Sequence, residues 1–138
     1  MPTYVDGGAC VIKRGTFASP TEIVGHGNMS LTMDGDTVKV SNKSVGGWVI
    51  TLDGASTEKS MTASVTFSQS DDTSFQTLAD EAFNFTRGAF VIQMGNSHYY
   101  EGEWTPKLTG ETGDKGAASD ATIVFESSGT ITRTLITP

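Results

Sequence analysis

Apolar residues recur at every second position through much of this chain. Met29, Leu31 and Met33 alternate with Ser30, Thr32 and Asp34, and Val38 and Val40 alternate with Thr37 and Lys39. Met61, Ala63, Val65 and Phe67 alternate with Thr62, Ser64, Thr66 and Ser68. Successive side chains of a strand point to opposite faces, so each run predicts a strand with one buried and one polar face. Ala89 to Met94 is apolar except for Gln93, the pattern of a more deeply buried strand. Tyr100, Gly102 and Trp104 alternate with Tyr99, Glu101 and Glu103. Ile123 and Phe125, then Ile131, Arg133 and Leu135, extend the series to the end of the sequence.

Turn chemistry separates these runs. Asp34-Gly35 is a strong hairpin signal. Gly95-Asn96-Ser97 links the run ending at Met94 to the strand from His98, and Ser127-Ser128-Gly129 precedes the last run. Thr109 to Ser119, rich in Gly, Asp, Thr and Lys, reads as an exposed loop.

One segment breaks the period of two. Phe75, Leu78, Ala79, Ala82 and Phe83 fall at the i, i+3, i+4, i+7, i+8 spacing of a helix with one apolar stripe. Asp71 and Asp72 supply a cap and favourable charge at its start, and Gly88 follows its end. About three helical turns are marginal alone, so the stripe must pack on a sheet. The pattern therefore predicts a mainly β protein. The expected form is a small barrel or sandwich of antiparallel strands, with one flanking α-helix at about residues 72–84 and a long loop at about 41–59. That loop fits no period, yet Trp48, Val49, Ile50 and Leu52 argue against disorder. A loop of this length in a compact domain is usually functional. Two readings stay open for it: Trp48 tucks onto its own domain, or the loop orders against another subunit.

Composition narrows the function. The 138 residues fit a single domain, 1–138. The chain is rich in Ser, Thr and Gly, and its net charge of −7 argues against gripping nucleic acid, which needs Lys and Arg to displace counterions. Cys10 is the only cysteine, so no internal disulfide is possible. No signal peptide is read from the first residues, and no apolar stretch reaches the ~18 residues of a membrane span, so no membrane partner is expected. His26 and His98 have no metal-ligand spacing around them, and no nucleophile elbow or phosphate-cradling glycine motif is present. Glu101 and Glu103 share one face of a strand. They read as a solvated face or an acidic stripe along a channel rather than as a glycosidase pair. The expectation is a non-enzymatic chain with no cofactor and no metal site.

Taken in order, these segments resemble the major tail tube proteins of long non-contractile-tailed phages. The alternating strand ends near Asp36. After it, Val38-Lys39-Val40-Ser41-Asn42-Lys43-Ser44-Val45-Gly46-Gly47-Trp48 is similar to the family's Val-containing strand, Ser/Thr- and Lys-rich step and Gly-Gly-Trp. Leu52-Asp53-Gly54-Ala55 resembles its Leu-x-Gly step, and Lys59 to Val65 its small-residue alternating strand. The Asp71-Asp72 helix, the strand Phe90 to Met94, a Tyr100-Glu101-Gly102 step and the turn Phe125 to Gly129 complete the match over roughly residues 20–136. The chain departs from the pattern after Trp48, where Val49-Ile50 stands in place of the family's frequent Arg-Glu pair.

The resemblance implies six-subunit rings stacked head to tail into a hollow tube. The tube holds a tape-measure protein, meets tail terminator and baseplate or tip proteins, and conducts DNA without binding it specifically. It implies a place in the virion tail after synthesis in the host cytoplasm. It makes Lys43, Gly46, Gly47, Trp48, Val49, Ile50 and Leu52 candidates for a loop reaching between rings. Thr62, Ser64, Thr66, Ser68, Glu101 and Glu103 become candidates for the lumen. The rival readings are a monomeric immunoglobulin-like or adhesin-like binding module, a small hydrolase or lectin, and the tube protein of a related secretion machine.

Overall fold

The computed structural model describes residues 10–41, 49–113, 115–116 and 119–136, without the side chains of 36–41 and 49–58. In chain order the elements are β1 (Cys10–Gly15), β2 (Pro20–Thr21), β3 (His26–Ser41), β4 (Val49–Ser68), α1 (Thr73–Asn84), β5 (Gly88–Met94), β6 (His98–Thr112), β7 (Asp120–Ser127) and β8 (Thr132–Leu135). All strand pairs are antiparallel and form one sheet in the order β2-β1-β5-β6-β7-β4-β3, with β8 added to β6. The mainly β, antiparallel architecture with a single flanking helix is as the periodicity predicts.

Barrel closure does not occur. The end strands β2 and β3 do not pair, and the sheet stays open. It folds over instead, because β6 serves two neighbourhoods. From His98 to Trp104 it pairs with β5, and from Trp104 to Thr112 it pairs with β7. A long strand that passes from one layer to the next is how a sheet makes a corner without losing hydrogen bonds. The two halves then bury one core between them. Ile12, Phe90 and Ile92 come from one half, Ala63, Val65, Phe67, Ile123 and Phe125 from the other, and Trp104 stands at the corner. Phe90 and Phe125 meet edge-on across the layers at 5.0 Å. Gly102 lets the chain between β7 and β8 cross close to β6, because a Cβ there would lie 2.9 Å from the Thr130 carbonyl oxygen, a backbone atom that cannot swing aside.

Two ties hold the fold-over shut. The Ile12 backbone N–H donates to His26 Nε2 at 3.1 Å, joining β1 to β3. The other ring nitrogen, Nδ1, lies 2.8 Å from the Gly27 carbonyl and donates to it, which requires a neutral ring. Burial lowers the His26 pKa from its ordinary value, in keeping with that tautomer. The Arg14 guanidinium meets both carboxylate oxygens of Glu81, joining β1 to α1.

The helix starts where the sequence says it should. Asp72 is the N-cap, and its carboxylate accepts from the Ser74 N–H at 2.9 Å. The hydrogen bond from the Ser74 hydroxyl, followed by that from its N–H, holds the Asp72 pKa below its ordinary value. Phe75, Leu78 and Ala82 are buried and Ala79 packs against the core. Phe83, expected in the same stripe, is 69% exposed. At about 100° per residue it falls roughly 80° from Phe75, outside the arc that Leu78 and Ala82 occupy. The C-cap is Phe85 in the left-handed region (φ 55°), where Gly88 had been expected to close the helix. Gly88 opens β5 instead.

Candidate assembly surface

Four strands carry a continuous polar face. Their register aligns Thr32, Thr62, Glu126 and Thr105 in one row, and Ser30, Ser64, Val124 and Lys107 in the next. Further along, Thr66 lies opposite Thr122, and Ser68 opposite Asp120. The opposite side of the same strands bears Met61, Ala63, Val65, Phe67, Ala121, Ile123 and Phe125, all buried. The period of two therefore gives this half-sheet one greasy and one hydrophilic surface. Val124 is the one apolar residue in those rows.

The hydrophilic surface is knitted to itself. Thr32 Oγ1 donates to the Thr62 carbonyl at 3.3 Å and Thr109 Oγ1 to the Thr122 carbonyl at 3.1 Å. Lys107 Nζ pairs with Glu126 at 3.0 Å.

Thr62, Ser64, Thr66 and Ser68, read from sequence as lumen candidates, thus lie together on this face. Ser30, Thr32, Thr105, Lys107, Thr122 and Glu126 share it and were not singled out. The missing information was the pairing order, which no single strand's alternation contains. Glu101 and Glu103 point to the same side of β6 but lie beyond the four-strand region. Glu101 accepts the Phe17 backbone N–H at 2.8 Å, and the Phe17 ring stacks on Tyr99 at 4.2 Å. That part of the face is covered by the chain itself. Glu103 pairs with Arg87 at 3.3 Å.

The candidate inter-ring segment is corrected in part. Val49 to Lys59, expected as loop, is the first half of β4. It pairs with β3 down to Ser41 opposite Val49, so the two strands form a long arm. Asp34-Gly35, expected as a hairpin turn, lies within β3, with Gly35 opposite Lys59. The ladder shifts register between Gly35 and Thr37, so the flexible pair serves an irregularity within the strand rather than a reversal. The exposed loop expected from Thr109 is likewise strand as far as Thr112. Lys43, Gly46, Gly47 and Trp48 lie outside the described residues. Val49, Ile50 and Leu52 are on β4, where only backbone is described.

The four-strand region β6-β7-β4-β3 has two open edges among the described residues. β3 pairs with β4 alone. β5 accompanies β6 only as far as Trp104, so Thr105 to Thr112 has no strand on that side. Below the β4–β7 ladder, the arm and the chain before β8 diverge around a crevice of about 400 Å³ lined by Met33, Lys59, Met61, Ile131 and Arg133. No cluster of metal-ligating side chains occurs among the described residues, and none of their helices is long and apolar enough to cross a membrane.

This architecture recurs in solved structures of phage-like particles. A chain in the tail of an empty gene transfer agent particle, determined by helical refinement with C6 symmetry, matches with a TM-score of 0.78 at 20% identity over 94% of this chain and 98% of that one. A chain in the virion of a native gene transfer agent particle matches with a TM-score of 0.74 at 20% identity over the same shares. The likeness is one of fold, and it agrees with the tail-protein resemblance in the sequence. No protein-family model and no curated protein matches the chain.

Proposed function

We propose that this chain is the structural subunit of a tail tube, with six copies in each ring and rings stacked head to tail. The observation that carries the reading is a four-stranded sheet with one polar face and two open edges that run in opposite directions. The pairing is antiparallel from β6 through β7 and β4 to β3, so β6 and β3 are antiparallel to each other. A copy rotated about an axis along the strands sets its β6 beside β3 of its neighbour, and the alternation continues unbroken. Edge-to-edge closure satisfies backbone groups and removes the hazard of open edges.

The dimensions suit a conduit. Six copies contribute roughly 24 strands, and at about 4.8 Å spacing the wall has a circumference near 115 Å and a diameter of about 37 Å before tilt widens it. Such a bore admits one nucleic-acid duplex, or a tape-measure protein before it. The face lined by Thr62, Ser64, Thr66 and Ser68, on a chain of net charge −7, offers phosphates little attraction. The reading assigns no catalytic step to the chain. The C6 symmetry of the gene transfer agent tail supports the ring number.

Negative-stain electron microscopy and native mass spectrometry of concentrated protein test this. Hollow six-membered rings or tubes are expected. Monomers alone, across salt and concentration, overturn it.

A further inference from the structure

When the β6 edge of one copy joins the β3 edge of the next, backbone parity, stagger and direction fix the register between them. Parity comes from two hydrogen bonds. The Glu103 carbonyl accepts the Ser128 N–H, so the polar-face residues of β6 turn their backbone groups toward β7. Leu108, on the core side, therefore turns its N–H and C=O to the open edge. The Ser68 N–H donates to the Gly25 carbonyl, so the polar-face residues of β4 turn toward β3 and engage their partners there. Met33, on the core side opposite Met61, thus directs its backbone groups to the other open edge.

Closure sets the stagger. Strands of a closed sheet tilt by about 35–45°. At about 3.4 Å per residue and about 4.8 Å per strand, a shift of four residues for each four-stranded copy gives a tilt of about 35°, whereas two give about 20° and six about 47°. An odd shift would turn the polar face of one copy onto the core side of the next. Chirality sets the direction. Seen on the polar face with β6 running upward, β7 lies to the right, because Glu103 faces the viewer and turns its carbonyl to Ser128. The right-handed tilt of strands in a closed sheet then carries the shift toward the C-terminal end of β3. Lys107 shares a row with Ser30 of its own copy, so it meets residue 34 of the next.

Resting on the ring reading above, we infer that Lys107 of one copy lies opposite Asp34 of the next, with Leu108 opposite Met33. The side chains match on both faces, although the shift was obtained without reference to them. On the polar face Lys107, held by Glu126 at 3.0 Å, gains the exposed Asp34 carboxylate as a second partner. On the core side Met33, 63% exposed in the single copy, meets Leu108, which packs partly against the core. Parity makes Leu108 and Met33 a hydrogen-bonded pair. Lys107 and Asp34 are then the adjacent non-hydrogen-bonded pair, where facing side chains stand closest.

Disulfide trapping tests the register. Residues of a non-hydrogen-bonded pair lie about 4.5 Å apart at Cα, within disulfide reach. Asp34→Cys with Lys107→Cys, in a Cys10→Ser background, should therefore oxidise into a ladder reaching six copies. Thr32→Cys with Lys107→Cys, two residues out of register, should give at least tenfold less. Rings in the microscope without the first ladder, or with an equal one from the second pair, overturn the register and leave the ring reading standing. Absence of rings from the unmodified protein removes both. Charge gives a separate readout. Asp34→Lys should keep its circular dichroism and raise the concentration needed for rings by tenfold or more, and adding Lys107→Asp should recover most of that loss. Rings at the unmodified level in Asp34→Lys, or no recovery in the double variant, overturn the pair.

Discussion

The two halves of the folded sheet treat their outer faces differently, although β6 runs through both. Near Tyr99 and Glu101 the outer face is covered by the chain itself. Phe17 stacks on one and donates its N–H to the other. Near Thr105 and Lys107 the same face of the same strand carries polar side chains and one ion pair, with no covering segment stacked on it as Phe17 is on Tyr99. The outer face of one half is covered within the molecule. That of the other is left bare, between the edges of β6 and β3.

Phe17→Ala sharpens that contrast most. It removes the stack on Tyr99 and should cost about 1–3 kcal/mol in urea denaturation. A loss within experimental error means that the covering segment is ornamental. A smaller effect is expected from acid. His26 ties the two halves in its neutral form, and burial holds its pKa below the ordinary 6.5. The unfolded chain therefore binds the proton first, and the stability present above pH 6.5 declines as pH falls toward the lowered folded value. His98 is shifted in the same direction by burial and by Arg133 and adds to the slope. Urea midpoints near pH 7.5 and pH 5.5 should converge in His26→Gln relative to the unmodified protein. Equal slopes in both exclude His26 as the tie. The smallest effect belongs to the open half. Ser30→Ala with Ser64→Ala should change stability by no more than about 0.5 kcal/mol. A substantially larger loss shows that this face is packed inside the lone molecule and is no lumen.

Much of this was legible in the sequence because the physics is local. Alternation from Met61 to Phe67 named the buried side of β4, and Asp72 marked the helix start. Phe83 was misplaced because a five-position stripe is wider than the arc that touches a sheet. Asp34-Gly35 was misplaced because the same dipeptide suits a tight reversal and a strand irregularity, and only the partner strand distinguishes them. Which edges stay open, and that Phe17 claims Glu101, depends on pairings between distant segments. Alternation records the face a residue occupies and is silent on its neighbour across the ladder.

The shared strand β6 has a mechanical consequence. Its fifteen residues belong to both layers, so no hinge divides the outer flank from the polar wall. A load pulling along this strand must shear the β5 and β7 ladders together rather than unzip either one. Close-packed interiors transmit strain with little give. The unit is thus stiff in the direction of its strands, and a column of such units would resist stretching better than the flexibility of any single loop suggests.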